Sequence, residues 1–298
     1  MSFFLFPGQG SQKVGMGQDF YNNAPAAKAV LDEAASLFDG DFLTTLFEGP
    51  DEALNHTQVA QPALLSVEVA TARHLIEQGI APEGCAGHSL GEIPALVVAG
   101  ALGFADAFTF TLERARLMSE NVPEGGMAAV MGLEPDAIRA NLPEGVQVAN
   151  YNGDSQTIIS GSKAGIEAAV DSLKEAGAKR VLPLKVSGPF HSEFMKPAAE
   201  QLRAVLESMT IVAPTVPFIS SVTAGPVTDP EAIRTLLSEQ LYSPVRWTEV
   251  IAAVGMGEAL EVGPGNVLKG LGKRMDYAPT ITCINGMADI EALTTTKD

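Results

Sequence analysis

The chain has 298 residues, of which 46% are hydrophobic and 18% charged, and its formal net charge is −17 at pH 7. This composition predicts a globular protein rather than a disordered one. The negative charge argues against nucleic-acid binding, which needs a basic surface, and no apolar run has the length of a membrane span. The apolar start, Met1 to Pro7, lacks the basic residues of a signal peptide and predicts a buried strand.

Sequence patterns predict these elements in the first part of the chain: a strand at 3–6, helices over 24–38 and 60–78, a strand at 79–86, and helices over 95–101 and 104–121. The loop Pro7 to Gln12 has G-x-G spacing, but Lys13 stands where a dinucleotide-binding turn would have its third glycine. The helix over 60–78 is expected to open near Gln61-Pro62, because proline is tolerated in a first turn.

A G-x-S-x-G motif, Gly87 to Gly91, lies between the predicted strand at 79–86 and the helix that follows. Strand, tight turn and helix are the context of a nucleophile elbow, which would expose the Ser89 hydroxyl above the sheet edge. Backbone N–H groups at the start of the helix would stabilise developing negative charge there. The alternative is an ordinary glycine-rich turn with a solvated serine.

Arg114 lies in the apolar stripe of the predicted helix over 104–121, near Phe110, Leu117 and Met118. A buried guanidinium is costly unless an anion meets it. Arg114 therefore has either an internal carboxylate partner or an anionic substrate, whose carboxylate an arginine binds through two parallel hydrogen bonds. Arg116 lies on another face of the helix, where pairing with a glutamate is possible.

A serine nucleophile needs a general base, and the chain has four histidines. His56 is expected to be solvated and His74 to lie on the surface. His88 adjoins Ser89, but the elbow directs neighbouring side chains apart. His191, in a loop downstream of the serine, is the favoured base. No acidic residue stands out as a third member, so a dyad oriented by a backbone carbonyl fits as well as a triad.

The second part of the chain begins with a β-α-β-β-α-β pattern, the ferredoxin-like order. Its predicted strands and helices cover 127–133, 135–142, 146–150, 157–160, 165–176 and 180–186, with Asn152, Gly153 and Asp154 as a turn. Later elements are predicted at 197–209, 216–222, 230–240, 259–262 and 280–284, with a frayed tail from Glu291. The fold class is α/β: a parallel-sheet domain of residues 1–124 and 188–298, interrupted by a ferredoxin-like domain of residues 125–187.

The two cysteines, Cys85 and Cys283, suggest neither a disulfide framework nor a metal site and predict a reducing, cytoplasmic location. Cys85 is interpreted as a buried hydrophobic residue. The basic residues of the second half are either scattered solvated charges or the place where an acidic partner docks. They are Lys179, Arg180, Lys185, Lys196, Arg246, Lys269, Lys273 and Arg274.

With Ser89, Arg114 and His191 in order, the chain resembles the malonyl-CoA:acyl-carrier-protein transacylases of fatty acid and polyketide synthesis. The resemblance covers essentially the whole chain. It rests on these segments: Phe6 to Gln12, Gln61 to Leu65, Gly87 to Glu92, Arg114 with Leu117-Met118, Pro189 to His191, Leu241 to Trp247, and Glu261 to Gly265. The family implies a hydrolase-like large domain with a ferredoxin-like small one.

For the catalytic residues, the resemblance implies that Ser89 is the acylated nucleophile and His191 its base. It implies that the backbone carbonyl of Gln240 orients His191, which would explain the missing acid. The backbone N–H groups of Gln9 and Leu90 would form the oxyanion hole. Transfer would be ping-pong.

For the substrates, the resemblance implies that Arg114 holds the free malonyl carboxylate and that Gln61 lines the acyl pocket. Phe190 is large enough to crowd an α-methyl group, so malonyl is expected over methylmalonyl. The donor would be the coenzyme A thioester malonyl-CoA, and the acceptor the phosphopantetheine thiol of an acyl carrier protein. No bound cofactor, metal, nucleic acid or membrane is expected, and the chain is expected to be a monomer.

Other functions remain open. A polyketide-synthase acyltransferase with a different acyl-CoA would share these motifs. An acyl-thioester hydrolase of the same fold should lack the arginine found at Arg114. A general esterase or lipase would be expected to have an acidic triad member and an HGGG-type loop. A non-enzymatic carrier-binding module would not need both Ser89 and His191.

Overall fold

Two sheets organise the chain in the computed structural model, which describes residues 2–120, 122–153, 156–186 and 188–295. Strands β1 (Ser2–Phe6), β2 (Pro82–Gly87), β7 (Phe218–Ile219), β8 (Glu258–Val262) and β9 (Thr280–Ile284) form a parallel sheet in the order β7-β2-β1-β8-β9. Strands β3 (Gly125–Met131), β4 (Val146–Gly153), β5 (Gln156–Ser162) and β6 (Arg180–Pro183) form an antiparallel sheet in the order β4-β5-β3-β6. The predicted α/β class, with a parallel sheet and a second, smaller sheet, is confirmed.

The helices cover the parallel sheet and one face of the smaller one. They are α1 (Gln18–Asn23), α2 (Pro25–Leu37), α3 (Phe42–Glu48), α4 (Asp51–Asn55), α5 (Thr57–Glu77), α6 (Glu92–Val98), α7 (Phe104–Leu117), α8 (Pro135–Ala140), α9 (Lys163–Glu175), α10 (Lys196–Glu207), α11 (Pro230–Glu239), α12 (Trp247–Val254), α13 (Val267–Gly272) and α14 (Met287–Thr295). Within the described ranges, no helix is both long and apolar enough to cross a membrane.

The central strand β1 is buried on both faces, which explains why it is a continuous apolar run rather than an alternating one. In β1, Phe4, Leu5 and Phe6 are all fully buried. Strands β1 and β2 are direct neighbours in register, with Phe6 opposite Gly87. Their carboxyl ends therefore bring the loop after β1 and the turn after β2 to the same edge, where open α/β sheets bind ligands.

The turn after β2 is possible only because two of its residues lack a side chain. A Cβ atom at Gly87 would lie 2.0 Å from the backbone of Gly91, and a Cβ atom at Gly91 would lie 2.1 Å from the carbonyl oxygen of Phe6. These distances are far shorter than any van der Waals contact. The two glycines of the G-x-S-x-G motif thus allow the turn to pack directly on β1.

Several predicted boundaries differ from the structure. Helix α5 begins at Thr57 rather than at residue 60, so Pro62 lies inside it and not in its first turn. Strand β7 has two residues instead of seven, and β6 ends at Pro183. The expected fraying from Glu291 is wrong for residues 291–295, which continue helix α14, and residues 296–298 lie outside the described residues. The buried side chain of Ile290 anchors that helix to the rest of the fold. Asp154 of the predicted turn lies outside the described residues.

Glu68, in the middle of α5, is a fully buried carboxyl group whose two oxygens have no hydrogen-bond partner in the described part of the chain. Burial, and secondarily the charge of Glu261, raise its pKa well above the ordinary value of 4.5. The folded state therefore binds the Glu68 proton more tightly than the unfolded state does. Between the unfolded and folded pKa values, the stability of the fold falls as pH rises.

We expect Glu68→Met, which keeps the side-chain length and removes the ionisable group, to raise the free energy of unfolding by about 2 kcal/mol at pH 8. The gain should be smaller at pH 5.5, where the wild-type carboxyl group stays protonated more easily. Urea denaturation of both proteins at the two pH values measures this. Equal destabilisation of the variant at both pH values would show that Glu68 contributes favourably to the core.

Candidate active site

Ser89 occupies the sharp turn between β2 and α6, as the motif predicted. Its φ angle is +53°, in the left-handed region that side-chain-bearing residues rarely adopt. A short 3-10 turn, Ser89–Gly91, then leads into α6. This conformation directs the serine hydroxyl into a cleft of about 670 Å³ between the two sheets.

His191 meets Ser89 in this cleft, although 102 residues separate them. The distance from Ser89 Oγ to His191 Nε2 is 2.8 Å. On the other side of the ring, Nδ1 lies 2.8 Å from the backbone carbonyl oxygen of Gln240 and 3.1 Å from that of Ser243. Because carbonyl oxygens only accept hydrogen bonds, Nδ1 carries the proton and Nε2 presents a lone pair to the serine hydroxyl.

The imidazole of His191 is held neutral by its surroundings. Burial is the main cause, and the nearby Arg114 and His88 add to it; together they lower its pKa to about 3. No carboxylate among the described residues makes a hydrogen bond or ion pair with the ring. Of the two arrangements that the sequence left open, the structure thus shows the dyad oriented by backbone carbonyls.

Arg114 is 1% exposed and lies directly beside this pair. Its guanidinium donates to Gln61 Oε1 at 2.7 Å, to Gln240 Oε1 at 3.0 Å, and to Ser89 Oγ at 3.3 Å. Burial lowers the pKa of Arg114 to about 10, although the charge of Glu92 acts in the opposite direction. No carboxylate within the described ranges forms an ion pair with it, and its Nε–H has no partner there. The sequence allowed either an internal carboxylate partner or an anionic substrate for Arg114, and no described carboxylate contacts its guanidinium.

The side chain of Gln240 connects Arg114 to a buried acid that the sequence patterns did not reveal. Gln240 Nε2 donates to the backbone oxygen of Ser89 at 3.0 Å and to Glu92 Oε2. Glu92 is also held by the backbone N–H and the hydroxyl of Ser221, at 2.8 and 2.9 Å. Burial raises the pKa of Glu92, and these hydrogen bonds oppose the rise. The side chain of Gln240 is thus hydrogen-bonded to the arginine, to the backbone of the elbow and to the acid.

The remaining predicted site residues also line or support the cleft. Gln9, Leu90 and Phe190 are among its lining residues. Gln61, expected to line the acyl pocket, is not among the residues that line the cleft: it is fully buried, and its Nε2 donates to Gln9 Oε1 at 3.2 Å. The structure therefore brings together every residue predicted for the site. These residues come from the carboxyl ends of β1 and β2, from α5 and α7, and from the loop around His191.

The other histidines have different surroundings. His88 Nε2 lies 2.8 Å from Asn152 Oδ1, and its ring packs edge-on against Trp247, so it does not contact the Ser89 hydroxyl. His56 is exposed, as expected. The surface position predicted for His74 is wrong: it is 5% exposed and packs near Phe20, because almost every face of α5 is covered.

A serine hydroxyl on a strained elbow, a neutral histidine and a buried arginine meet in one cleft, in a geometry suited to acyl transfer. The acyl transferase domain family model matches residues 3–269. The malonyl CoA-acyl carrier protein transacylase of Bacillus subtilis strain 168 is 46% identical, over 99% of this chain and 97% of the relative. That of Salmonella typhimurium strain LT2 is 44% identical, over 98% of each. The chain is an acyltransferase and belongs to the malonyl CoA-acyl carrier protein transacylase family.

Solved structures agree with this assignment. An acyl carrier protein S-malonyltransferase from Vibrio cholerae superposes with a TM-score of 0.94 at 41% identity, covering 98% of this chain and 99% of that one. A malonyl-transacylase in complex with a type II PKS acyl carrier protein gives 0.93 at 40% identity, covering 99% and 100%. The family resemblance drawn from the motifs is confirmed.

Proposed function

We propose that this chain transfers a malonyl group from malonyl-CoA to the phosphopantetheine thiol of an acyl carrier protein, through an ester on Ser89. The observation that carries the proposal is the buried guanidinium of Arg114, 3.3 Å from the nucleophile and without a carboxylate partner in the described residues. The names of the relatives and their similarity over the whole chain support the same substrates.

In the first half-reaction, Ser89 Oγ attacks the thioester carbon while His191 Nε2 takes the hydroxyl proton. The carbonyl oxygen becomes an oxyanion, which the backbone N–H groups of Gln9 and Leu90 would hold. A donor of this kind is worth roughly 3 kcal/mol in comparable sites. The carbon–sulfur bond then breaks, and His191 returns the proton to the departing CoA thiolate.

In the second half-reaction, the carrier's thiol gives its proton to His191 and attacks the Ser89 ester. The tetrahedral intermediate collapses with loss of the serine oxygen, which recovers its proton from His191 Nε2. Both thiols thus use the same base, and CoA leaves before the carrier reacts, which is a ping-pong sequence. Backbone carbonyls at Nδ1 keep the ring in the required tautomer at both stages.

Arg114 would bind the free carboxylate of the malonyl group. Gln61 and Gln240 fix the guanidinium from two sides. A neutral acyl group would leave this buried cation uncompensated, which disfavours acetyl transfer. Phe190 would disfavour an α-methyl group.

The free thiols Cys85 and Cys283 are consistent with the cytoplasmic location we propose.

The test is to incubate the protein with malonyl-CoA or acetyl-CoA and a holo carrier protein and to follow the acyl-carrier by chromatography. We expect malonyl-carrier to form rapidly and acetyl-carrier at least a hundredfold more slowly. Release of free malonate at the same rate with and without carrier would instead identify an acyl-thioester hydrolase. Faster use of another acyl-CoA would favour a polyketide acyltransferase of different specificity.

The low pKa of His191, about 3, predicts an unusual pH profile. Nε2 stays unprotonated above that value, and activity falls only as pH drops through the folded-state pKa. We expect kcat/KM for malonyl-CoA to be level from pH 8 to pH 5, where a histidine of ordinary pKa would already be mostly protonated. In Arg114→Ala, one cause of the shift is removed, so the acid limb should move to higher pH.

Rapid-quench acylation after a pH jump measures this before the protein can unfold. A wild-type acid limb with an apparent pKa between 6 and 7 would contradict the burial and charge effects assigned to His191.

A further inference from the structure

Lys185 lies just after strand β6, where the active-site cleft meets a smaller side cleft of about 390 Å³. The side cleft extends toward the start of α5, past Thr57 and Gln58. The two clefts have several residues in common: Gln9, Asn55, Lys185, Val186 and Phe190. They therefore form one continuous corridor, with Lys185 at the junction.

The charged residues that line the corridor are cationic. Among the described residues, Lys185 and Arg114 are the only lysine or arginine side chains that line the active-site cleft, and Lys185 is the only one that lines the side cleft. No described aspartate or glutamate lines either, although the chain has 36 acidic residues. An anionic ligand thus meets a cation and no carboxylate on the lining itself, although Glu120 accepts a hydrogen bond from the lining residue Gln58 at 3.2 Å.

The ammonium group of Lys185 is free to bind such a ligand. The residue is exposed, and no described residue forms an ion pair or hydrogen bond with it. By contrast, Arg246 and Lys196 are ion-paired with a glutamate three residues away. Nearby, Asn55 Oδ1 accepts a hydrogen bond from Gln12 Nε2 at 2.7 Å, which leaves the amide N–H groups of Asn55 as donors.

We propose that Lys185 and the side cleft bind the phosphorylated nucleotide end of the CoA thioester, while its pantetheine arm lies in the active-site cleft. CoA carries a diphosphate and a 3′-phosphate beyond the pantetheine arm, and these charges need a cation in a chain whose net charge is −17. The proposal rests on the proposed function. It adds to that function the place where the charged end of the donor binds.

The test compares malonyl-CoA with malonyl-pantetheine, which has the same thioester but no phosphate. In a ping-pong reaction, kcat/KM for the donor reports the acylation half-reaction alone. We expect Lys185→Gln to lower kcat/KM for malonyl-CoA about fivefold and to leave kcat/KM for malonyl-pantetheine unchanged. The salt dependence of the malonyl-CoA reaction should also become weaker.

Lys269→Gln is the matched control, because Lys269 lines a separate surface groove with Lys13 and Lys273. Its kcat/KM for malonyl-CoA should equal the wild-type value. An equal loss for both thioesters in Lys185→Gln would overturn the proposal, as would a loss confined to kcat/KM for the holo carrier, which would make Lys185 a carrier contact. Failure of wild-type protein to react with either thioester would overturn the proposed function, and this inference with it.

Discussion

His191→Ala is expected to slow acylation of Ser89 by malonyl-CoA about 10⁴-fold. Among the described residues, His191 is the only side chain that contacts the serine hydroxyl as a proton acceptor, at 2.8 Å, because Arg114 can only donate. General base catalysis contributes about 10²–10⁴-fold, and loss of a coupled nucleophile–base pair reaches the upper part of that range. Single-turnover quench experiments measure the acylation rate directly.

Binding measurements separate loss of chemistry from loss of the fold. The affinity of His191→Ala for CoA, measured by calorimetry, should match that of the wild-type protein, because the imidazole is not assigned to CoA binding. A variant that binds CoA normally yet is acylated within tenfold of the wild-type rate would refute the assignment of His191 as the base.

Arg114→Ala is expected to lower kcat/KM for malonyl-CoA about 10²–10⁴-fold. A buried charge pair broken by removal of one partner costs about 3–5 kcal/mol, and here the bound carboxylate would lose its counter-charge. The same change should raise the ratio of acetyl to malonyl transfer by at least as much, because acetyl-CoA no longer leaves an uncompensated guanidinium. The readout is competition between the two thioesters for one holo carrier.

Arg116→Ala is the matched control for this change. Arg116 is two residues along the same helix, but it is partly exposed and paired with Glu113 and Glu120. Its removal should leave the acetyl-to-malonyl ratio unchanged. If Arg114→Ala also left that ratio unchanged, the guanidinium would not be the group that selects the malonyl carboxylate.

The core of the site could be predicted because local chemistry determines it. The glycines at Gly87 and Gly91 indicated the elbow before the structure showed how closely β1 approaches them. The helical spacing of Arg114 predicts a buried position, and His191 is the favoured base because the other histidines have less suitable positions. The positions of Ser89 and Arg114 follow from a few neighbouring residues, and the base is one of only four histidines.

The remainder depended on contacts between distant parts of the chain. Gln240 and Glu92 bond across 148 residues, and no local pattern indicates such a pair. The sequence patterns do not predict helices α1, α3, α4, α12, α13 and α14, because five to nine residues show too little periodicity to be distinguished from loops. His74 was misplaced because polarity alone does not show that neighbouring helices cover α5.

The most direct test of the central claim is the mass of the intact protein after brief mixing with malonyl-CoA and then with a holo carrier protein. We expect one malonyl adduct, localised to Ser89 by peptide mapping, that disappears as malonyl-carrier forms; Ser89→Ala should show no adduct. An adduct on another residue, or malonyl-carrier formed at the wild-type rate by Ser89→Ala, would contradict the claim that the malonyl group passes through Ser89.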